Sequence, residues 1–247
     1  MGLEAAVSRL ILKKGFEILN ECCENDVVIV GAGPAGLTCA LKLAESDVDV
    51  VVIERKLYVG GGMPGGGMFI PAGTVLEDSD AVPLLEELGV ELEEGEEGLL
   101  LLNPVEATLK IATAAVDNGA RILVGIEVED VVERRGEVKG VVVNWTAARQ
   151  AGIHVDPLMM EAEFTVDATG HEASVCKLAG VEIKGEGKMW VERGEELVVK
   201  HSGEVKPGLY AVGMAAAAVK GSPRMGPTFG GMLESGMKVA EEIAEKL

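Results

Sequence analysis

The sequence predicts an α/β fold with a parallel β-sheet, and three observations lead to this prediction. Two runs of β-branched residues, at 26–33 and 47–55, flank an apolar helix that begins at Pro34. A glycine-rich turn, GAGPAG, stands between the first run and this helix. Of the 247 residues, 48% are hydrophobic and 26% charged, which is typical of one well-packed domain. We therefore predict a single Rossmann-like dinucleotide-binding domain over residues 1–247.

The first half of the chain follows this pattern in order. Strand, helix and strand form a βαβ unit, so their sheet should be parallel. The glycine-dense segment 60–73 must be irregular backbone, and we interpret it as a functional loop. The predicted regular elements are an amphipathic helix at 1–19, a strand at 26–33, a helix at 34–45 and a strand at 47–55.

The second half begins with a helix whose start is well marked. Asn103 suits the N-cap, Pro104 the first helical position and Glu106 the capping box, and the helix should run to about Asp117. The later predicted elements are short strands over 120–145 turning at Arg135 and Gly136, a strand at 161–170, a late strand at 208–214 and a helix at 229–247. This order is that of the two-dinucleotide-binding-domain flavoprotein fold, with a β-meander insertion.

Composition excludes several partners. The formal net charge of -19 opposes binding to nucleic acid or to anionic lipid, since both depend on clustered Lys and Arg. The longest apolar run, at 209–219, is too short to span a membrane. The four cysteines have no CxxC spacing, so we expect neither disulfides nor a zinc knuckle, and we read all four as structural. A cytoplasmic protein is predicted.

The GAGPAG turn predicts a dinucleotide site. Gly31 permits the tight turn, Gly33 lets the backbone approach a pyrophosphate, and Gly36 allows close packing of helix on sheet. The helix N-terminus then faces the phosphates. Glu54 ends the second strand about 20 residues further on, where this motif places a carboxylate that accepts from a ribose hydroxyl.

The identity of the dinucleotide is a separate question. In flavoproteins of this fold an Asp usually follows the late strand, and Met214 occupies that place. Only 3% of residues are aromatic, which leaves few side chains to cover an isoalloxazine ring. Both observations favour NAD over tightly held FAD.

Four polar side chains could support chemistry. His154 and Asp156 alternate in an extended segment and can share one face, and His171 follows a strand that ends in glycine. Imidazole and carboxylate form a usable half-site for iron, manganese or zinc, although spacing alone equally fits ordinary loop residues. Arg224, in a loop rich in glycine and proline, could grip a carboxylate or make a structural ion pair. His201, in VVKHSGEVKPG, is read as a surface residue between a strand and a turn.

Several segments together resemble the thiamine thiazole synthase family over almost the whole chain. The segments are VVIVGAGPAGLTCA, VIERKLYVGGGMPGGGMF, AGIHVDPL, VDATGHEA, LYAVGMAA and GSPRMGPTFGGM. The resemblance implies an enzyme that builds ADP-thiazole from NAD, glycine and a sulfur source. NAD is then a substrate rather than a redox cofactor.

The resemblance also implies roles for individual residues. Asp156 and His171 match the ligands of Fe(2+), supplied by different subunits of a homo-octamer, and Arg224 matches the position that holds the glycine carboxylate. The His154–Asp156 stretch lies close to the reacting ribose. The positions that match the NAD and ADP-thiazole site are Gly31, Gly33, Ala35, Gly36, Glu54, Arg55, Gly62, Val128, His154, Val155, Asp156 and Met214.

One position separates two branches of this family. Members that donate their own sulfur carry a cysteine where this chain has His154. The resemblance therefore implies a catalytic enzyme that uses free sulfide over multiple turnovers, with His154 moving protons. Two alternatives stay open, an FAD-dependent oxidoreductase of the same fold and a carrier that binds NAD or ADP-thiazole.

Overall fold

The structure is a computed structural model, and it describes residues 2–247. The helices are α1 (Leu3–Glu21), α2 (Pro34–Ala44), α3 (Ala81–Glu87), α4 (Pro104–Asp117), α5 (Thr146–Gln150), α6 (Ser174–Leu178), α7 (Val191–His201), α8 (Gly213–Lys220) and α9 (Gly230–Ala244). Two short 3-10 turns lie at Met63–Gly65 and Gly170–Glu172.

The strands form two sheets. They are β1 (Glu24–Val30), β2 (Val50–Glu54), β3 (Gly73–Leu76), β4 (Leu92–Glu94), β5 (Leu99–Leu102), β6 (Arg121–Val124), β7 (Ile126–Arg134), β8 (Glu137–Trp145), β9 (Leu158–Asp167), β10 (Gly203–Lys206) and β11 (Leu209–Ala211). The small sheet is antiparallel in the order β3-β5-β4, and the remaining eight strands form the main sheet.

The main sheet has a parallel centre. Its order is β10-β11-β9-β1-β2-β6, and all neighbours except β10 and β11 are parallel. The β7-β8 hairpin joins through β8, which pairs antiparallel with the first half of β9. Parallel strands end at the same edge, so the segments after β1, β2, β9 and β11 meet there. This carboxyl edge is where ligands bind in such sheets.

Both faces of the sheet are buried, as a parallel sheet requires. In β1, Val27 and Ile29 face a core formed with α2, α4 and α9. Val28 and Val30 face a second core formed with the hairpin, α6 and α8. The continuous β-branched run of β1 follows from this two-sided burial.

The structure confirms the predicted α/β fold and many of its elements. Helices α2 and α4 have the predicted bounds, and the Asn103 side chain accepts from Val105 N at 3.0 Å and Glu106 N at 3.2 Å. The hairpin turns at Arg135 and Gly136, whose φ angles are 55° and 84°. Two positive φ angles in a two-residue loop match the twist of the flanking strands.

Other predictions were wrong in detail. The VVK segment before His201 was read as a strand, but it lies in α7, where Val198 packs inward at helical spacing with Glu195. The late strand ends at Ala211, and α8 follows directly from Gly213. His201 is half-buried rather than on the surface, and its Nδ1 lies 2.8 Å from Ser222 Oγ.

The cysteines and the helices bear on two further predictions. All four cysteines are free, as expected, and burial raises the pKa of the Cys39 thiol to about 12. Cys23 is exposed, which contradicts a structural role for all four, whereas Cys22, Cys39 and Cys176 are buried. Within residues 2–247, no helix combines the length and the hydrophobicity that crossing a membrane requires.

Candidate functional site

The GAGPAG turn occupies the carboxyl edge directly after β1. Gly31 has φ 106°, and a Cβ there would lie 2.4 Å from Ala168 O. A Cβ on Gly36 would lie 2.1 Å from Gly31 O, so α2 approaches the turn too closely for any side chain. Around Gly33, the N-cap of α2, there is open space. The turn thus leaves free backbone at the helix N-terminus, where a phosphate can bind.

Glu54 is built into this turn. Its side chain is buried, with 6% of the residue exposed. Oε2 accepts from Ala32 N at 3.0 Å and Oε1 accepts from Lys56 N at 2.8 Å. Each carboxylate oxygen can accept a second hydrogen bond, so Glu54 is fixed in place and still able to accept from a hydroxyl.

The second glycine-rich segment packs against the first. Gly60 N donates to Ala32 O at 2.6 Å, and a Cβ on Gly61 would lie 3.2 Å from Gly33 Cα. Gly62 follows as the N-cap of the 3-10 turn. The loop predicted to be functional therefore lies against the N-terminal end of α2, at Gly33.

The start of α8 closes the other side. Gly213 has φ 56°, and a Cβ there would lie 2.8 Å from Ala35 Cβ. Gly213 N donates to Ser235 Oγ at 2.9 Å, which ties α8 to α9. Met214 is half-buried and packs with Val198 and Met225. Met214 thus contributes packing here and has no acidic group for a flavin.

Arg55 links β2 to the turn that carries His171. Its guanidinium donates from Nη1 to Glu172 Oε2 at 3.0 Å and from Nη2 to Glu172 Oε1 at 3.3 Å. This pairing holds the pKa of the Glu172 carboxyl below its usual range. Glu172 was not singled out in the sequence, although it directly follows His171. The fork connects the nucleotide side of the edge to the histidine.

His154 and Asp156 lie in an exposed loop after α5. His154 Nε2 is 3.8 Å from Asp156 Oδ1, which confirms that the two side chains lie together. Val155 O accepts from Asn144 Nδ2 at 2.9 Å, so β8 anchors the loop. A cavity of about 560 Å³ lies under it, lined by Glu127, Glu129, Asn144, Arg149, Gln150, Gly152, Ile153, His154 and Val155. Val128 is half-buried in β7, packed toward the second core.

His171 and Arg224 meet at a shared carboxylate. His171 Nε2 lies 3.4 Å from Glu186 Oε2, and Arg224 Nε lies 3.6 Å from the same oxygen. The His171 and Arg224 side chains are 67% and 60% exposed, whereas that of Glu186 is only 10% exposed. Sequence reasoning missed Glu186, because no motif marks the segment that carries it.

The loop that carries Arg224 is held by a buried acid. Glu195 of α7 accepts from Gly231 N at 2.6 Å and from the Thr228 hydroxyl. Burial raises the pKa of the Glu195 carboxyl, partly offset by these two donors. Phe229 and Met225 are buried beside it. The loop is thus rigidly placed at the start of α9.

The residues predicted to hold a metal fall into two groups. Within residues 2–247, no three His, Cys, Asp or Glu side chains are arranged to hold a metal ion. Asp156 has a fully exposed carboxylate and His171 an exposed imidazole. Nitrogen and oxygen donors of this kind suit ferrous iron. The Asp156 carboxylate and the His171 imidazole are therefore suitable ligands for ferrous iron. Within one chain, however, they belong to two separate groups of contacting side chains.

The fold and this edge define a Rossmann-like α/β protein whose ligand side is a glycine-rich surface beside a histidine and an arginine. The comparisons with known proteins narrow the class. The Thi4 family model matches residues 8–229, and the chain belongs to the Thi4 family. This confirms the family predicted from the motifs.

Relatives and solved structures agree with that assignment. The thiamine thiazole synthase of Methanococcus aeolicus is 47% identical over 99% of this chain and 95% of its own length. That of Pyrococcus horikoshii is 45% identical, covering 99% and 98%. The crystal structure of Thermovibrio ammonificans THI4 matches with TM-score 0.93 at 45% identity, covering 98% of this chain and 97% of that chain.

A more distant structure shares the fold alone. The anhydrotetracycline hydroxylase OxyS of Streptomyces rimosus matches with TM-score 0.51 at 22% identity, over 66% of this chain and 35% of that chain. The common part is the α/β core, so this likeness carries no information about substrate.

Proposed function

We propose that this chain is a thiamine thiazole synthase that makes ADP-thiazole from NAD, glycine and sulfide, with ferrous iron, over multiple turnovers. The observation that carries the proposal is one shared sheet edge. The glycine-rich turn, the Arg55 and Glu172 fork, and the His171 and Arg224 cluster all lie after β1, β2, β9 or β11. Family membership adds its relatives' activity to this geometry.

The nucleotide half of the reaction is supported by the turn and Glu54. The backbone at Gly33 offers the N-terminus of α2 to a pyrophosphate, and Glu54 can accept from a ribose hydroxyl. Ala35, Gly62 and Met214 would then line the bound adenosine diphosphate. Their role is to hold the nucleotide in one pose while its far ribose reacts.

The glycine half is assigned to Arg224. Its exposed guanidinium can bind a carboxylate with two parallel N–H donors, which fixes orientation as well as affinity. Glu195 keeps the loop in place from behind. Binding glycine beside the nucleotide replaces an encounter of free molecules by one oriented contact.

The iron is assigned to Asp156 and His171. When bound, it would favour the deprotonated form of the sulfur nucleophile. Among residues 2–247, the ion-pair partner of the Asp156 carboxylate is His154, whose Nε2 lies at 3.8 Å. His171 presents an imidazole beside Glu186. Because the two lie in separate groups, we assign them to different subunits of one assembly.

His154 is proposed as the catalytic proton carrier. Imidazole exchanges protons near neutral pH, and His154 is exposed beside Asp156 in a loop that β8 anchors. With no cysteine at this position, the chain cannot donate a sulfur atom from there, and free sulfide is proposed as the source. Burial raises the pKa of Cys39 and Cys176, which keeps these thiols protonated and unreactive.

A homo-octamer is proposed for the assembly, on the family's pattern. Helix α1 has no fully buried residue, and most of its large apolar side chains are exposed. Leu57, Tyr58, Met68 and Phe69 are exposed as well, beside the second glycine-rich segment. Apolar surface of this extent is typical of interfaces between subunits. The free cysteines suit a reducing cytoplasm, where we place the protein.

The proposal is tested by an anaerobic incubation of the protein with NAD, glycine, sulfide and ferrous iron. Mass analysis of released nucleotides should show ADP-thiazole in excess over enzyme, and none in a control without iron. Product limited to one equivalent would refute multiple turnover. Intact NAD in both samples would refute the activity.

A further inference from the structure

Glu186 is a buried carboxylate that the roles assigned above do not use. It lies between α6 and α7, and only 10% of its side chain is exposed. One oxygen, Oε2, faces both His171 Nε2 at 3.4 Å and Arg224 Nε at 3.6 Å. The metal-binding imidazole and the glycine-binding guanidinium thus share one neighbour.

The backbone fixes this arrangement on both sides of Glu186. Gly187 N donates to Ser222 O at 2.8 Å, and Gly185 N donates to Ala218 O at 2.9 Å. Two further bonds join Arg224 N to Lys188 O at 3.1 Å and Trp190 N to Arg224 O at 3.0 Å. The position of Glu186 relative to Arg224 is therefore set by a short ladder and not by flexible side chains.

The second oxygen of Glu186 gives the independent observation. Among residues 2–247, Oε1 is buried and finds no hydrogen-bond donor. A buried carboxylate that served packing alone would be expected to have both oxygens satisfied. Among residues 2–247, the basic side chains within 4 Å of this carboxylate are those of His171 and Arg224, which points to a role in the site.

We propose that Glu186 is a positioning residue that orients His171 and Arg224 toward the same substrate, an inference that rests on the proposed function. Metal-binding histidines commonly donate their second ring N–H to a carboxylate, which fixes the tautomer and the ring orientation. With Nε2 facing Glu186, His171 keeps Nδ1 for the metal. The same carboxylate holds the Arg224 guanidinium beside it.

The test compares Glu186→Gln with the wild-type protein, with Glu182→Gln as the matched control. Gln keeps the length of the side chain and removes its charge, and Glu182 is an exposed acid in the same segment. Ferrous affinity is measured anaerobically on the full-length, substrate-free protein, by competition with a coloured chelator. The KM values for glycine and for NAD are measured separately.

We expect Glu186→Gln to weaken ferrous affinity about tenfold, as other outer partners of metal ligands do. The glycine KM should rise about tenfold, since a charged partner of Arg224 is lost. The NAD KM of Glu186→Gln should stay at the wild-type value. The ferrous affinity and the glycine KM of Glu182→Gln should also stay at wild-type values. Should the Gln variant fail to fold, Glu186→Asp is measured in its place, with the same two constants.

Two results would overturn the proposal. One is wild-type ferrous affinity and glycine KM in the variant. The other is an equally large rise in the NAD KM, which would indicate a general structural defect. If the wild-type protein makes no ADP-thiazole, the proposed function fails, and ferrous affinity still decides the role of Glu186 because it needs no turnover. Absence of ferrous binding by the wild-type protein also overturns it.

Discussion

The proposed nucleotide site and the loop that carries His154 and Asp156 differ in burial. Glu54 is 6% exposed and both of its oxygens accept backbone N–H groups. The side chains of His154 and Asp156 are 92% and 101% exposed, and His154 Nε2 lies 3.8 Å from Asp156 Oδ1. Glu54 is held by backbone groups of its own chain, whereas the His154 and Asp156 side chains are exposed to solvent.

This difference suggests that the two regions have different requirements for binding. The buried turn presents backbone to a phosphate without any further partner, so it needs only correct folding. The exposed loop needs a second component before its carboxylate and imidazole become a defined site. We infer that nucleotide binding survives changes to the reacting side, and each prediction below tests that separation.

The largest effect is expected from Asp156→Ala. Removing one of the two proposed iron ligands should reduce iron-dependent ADP-thiazole formation by more than about a hundredfold, at the upper end for losses around a metal site. NAD binding should remain measurable, because the buried turn that is proposed to hold the pyrophosphate stays intact. Product is measured by mass analysis and NAD binding by calorimetry.

Asp117→Ala provides the matched control for this change. Asp117 is an exposed residue at the end of α4, and its replacement should leave both quantities at wild-type values. Wild-type product from Asp156→Ala would refute the ligand assignment. Loss of NAD binding in that variant would break the separation of the two sides.

Arg224→Ala should produce the next largest effect. A charge-assisted pair with a carboxylate contributes about 2 kcal/mol, so the glycine KM should rise roughly thirtyfold. The NAD KM should remain at the wild-type value. Steady-state kinetics with each substrate varied in turn separates the two constants. An unaltered glycine KM would contradict the assignment, and Arg193→Ala, on the surface of α7, is the control.

Two glycines of the turn test the buried side directly. Gly36→Ala would place a Cβ 2.1 Å from Gly31 O, and overpacking of this kind costs about 1–3 kcal/mol of folding free energy. Gly33→Ala meets open space and has φ −81°, so it should fold normally and weaken NAD binding by crowding the pyrophosphate. Denaturant unfolding and calorimetry measure the two effects.

The two glycine variants are compared with each other in folding stability and in NAD binding. If Gly33→Ala proves the less stable of the pair, the packing argument for Gly36 is wrong. If Gly33→Ala binds NAD normally, the turn does not approach the pyrophosphate as proposed.

The same contrast explains what could be predicted from the sequence. The GAGPAG turn and Glu54 were found because each of their roles restricts the residue type at a fixed local spacing. The N-cap Asn103 was found for the same reason. Glu186 was missed because its partners, His171 and Arg224, are distant in the chain and no local pattern marks it.

The helical errors have a similar cause. The Val-Val pair before His201 favours a strand locally, but the burial of Val198 and Glu195 on one face of α7 decides its structure. The alanine run after Met214 was read only as a short apolar segment, whereas its small side chains let α8 pack closely. Tertiary packing, which the sequence does not display, settled both.

The smallest effect is expected from Glu195→Gln, which tests the buried carboxylate that holds the Arg224 loop. Burial raises the folded-state pKa of Glu195, so folding favours its protonated form. The stability from this preference is fully present below the unfolded pKa and is lost as pH rises through the folded pKa. Gln keeps the contacts with Thr228 and Gly231 and does not titrate.

The stability of Glu195→Gln relative to wild type should therefore increase as the pH rises above about 4, the ordinary range of a Glu carboxyl. Denaturant unfolding at several pH values measures this difference, with Glu192→Gln, an exposed position on α7, as the control. A difference that stays constant with pH would show that Glu195 is not held in a raised-pKa state. The buried Glu195 carboxylate that holds the Arg224 loop would then carry its charge without a loss of folding stability. Burial would then make no energetic difference between this loop and the nucleotide site.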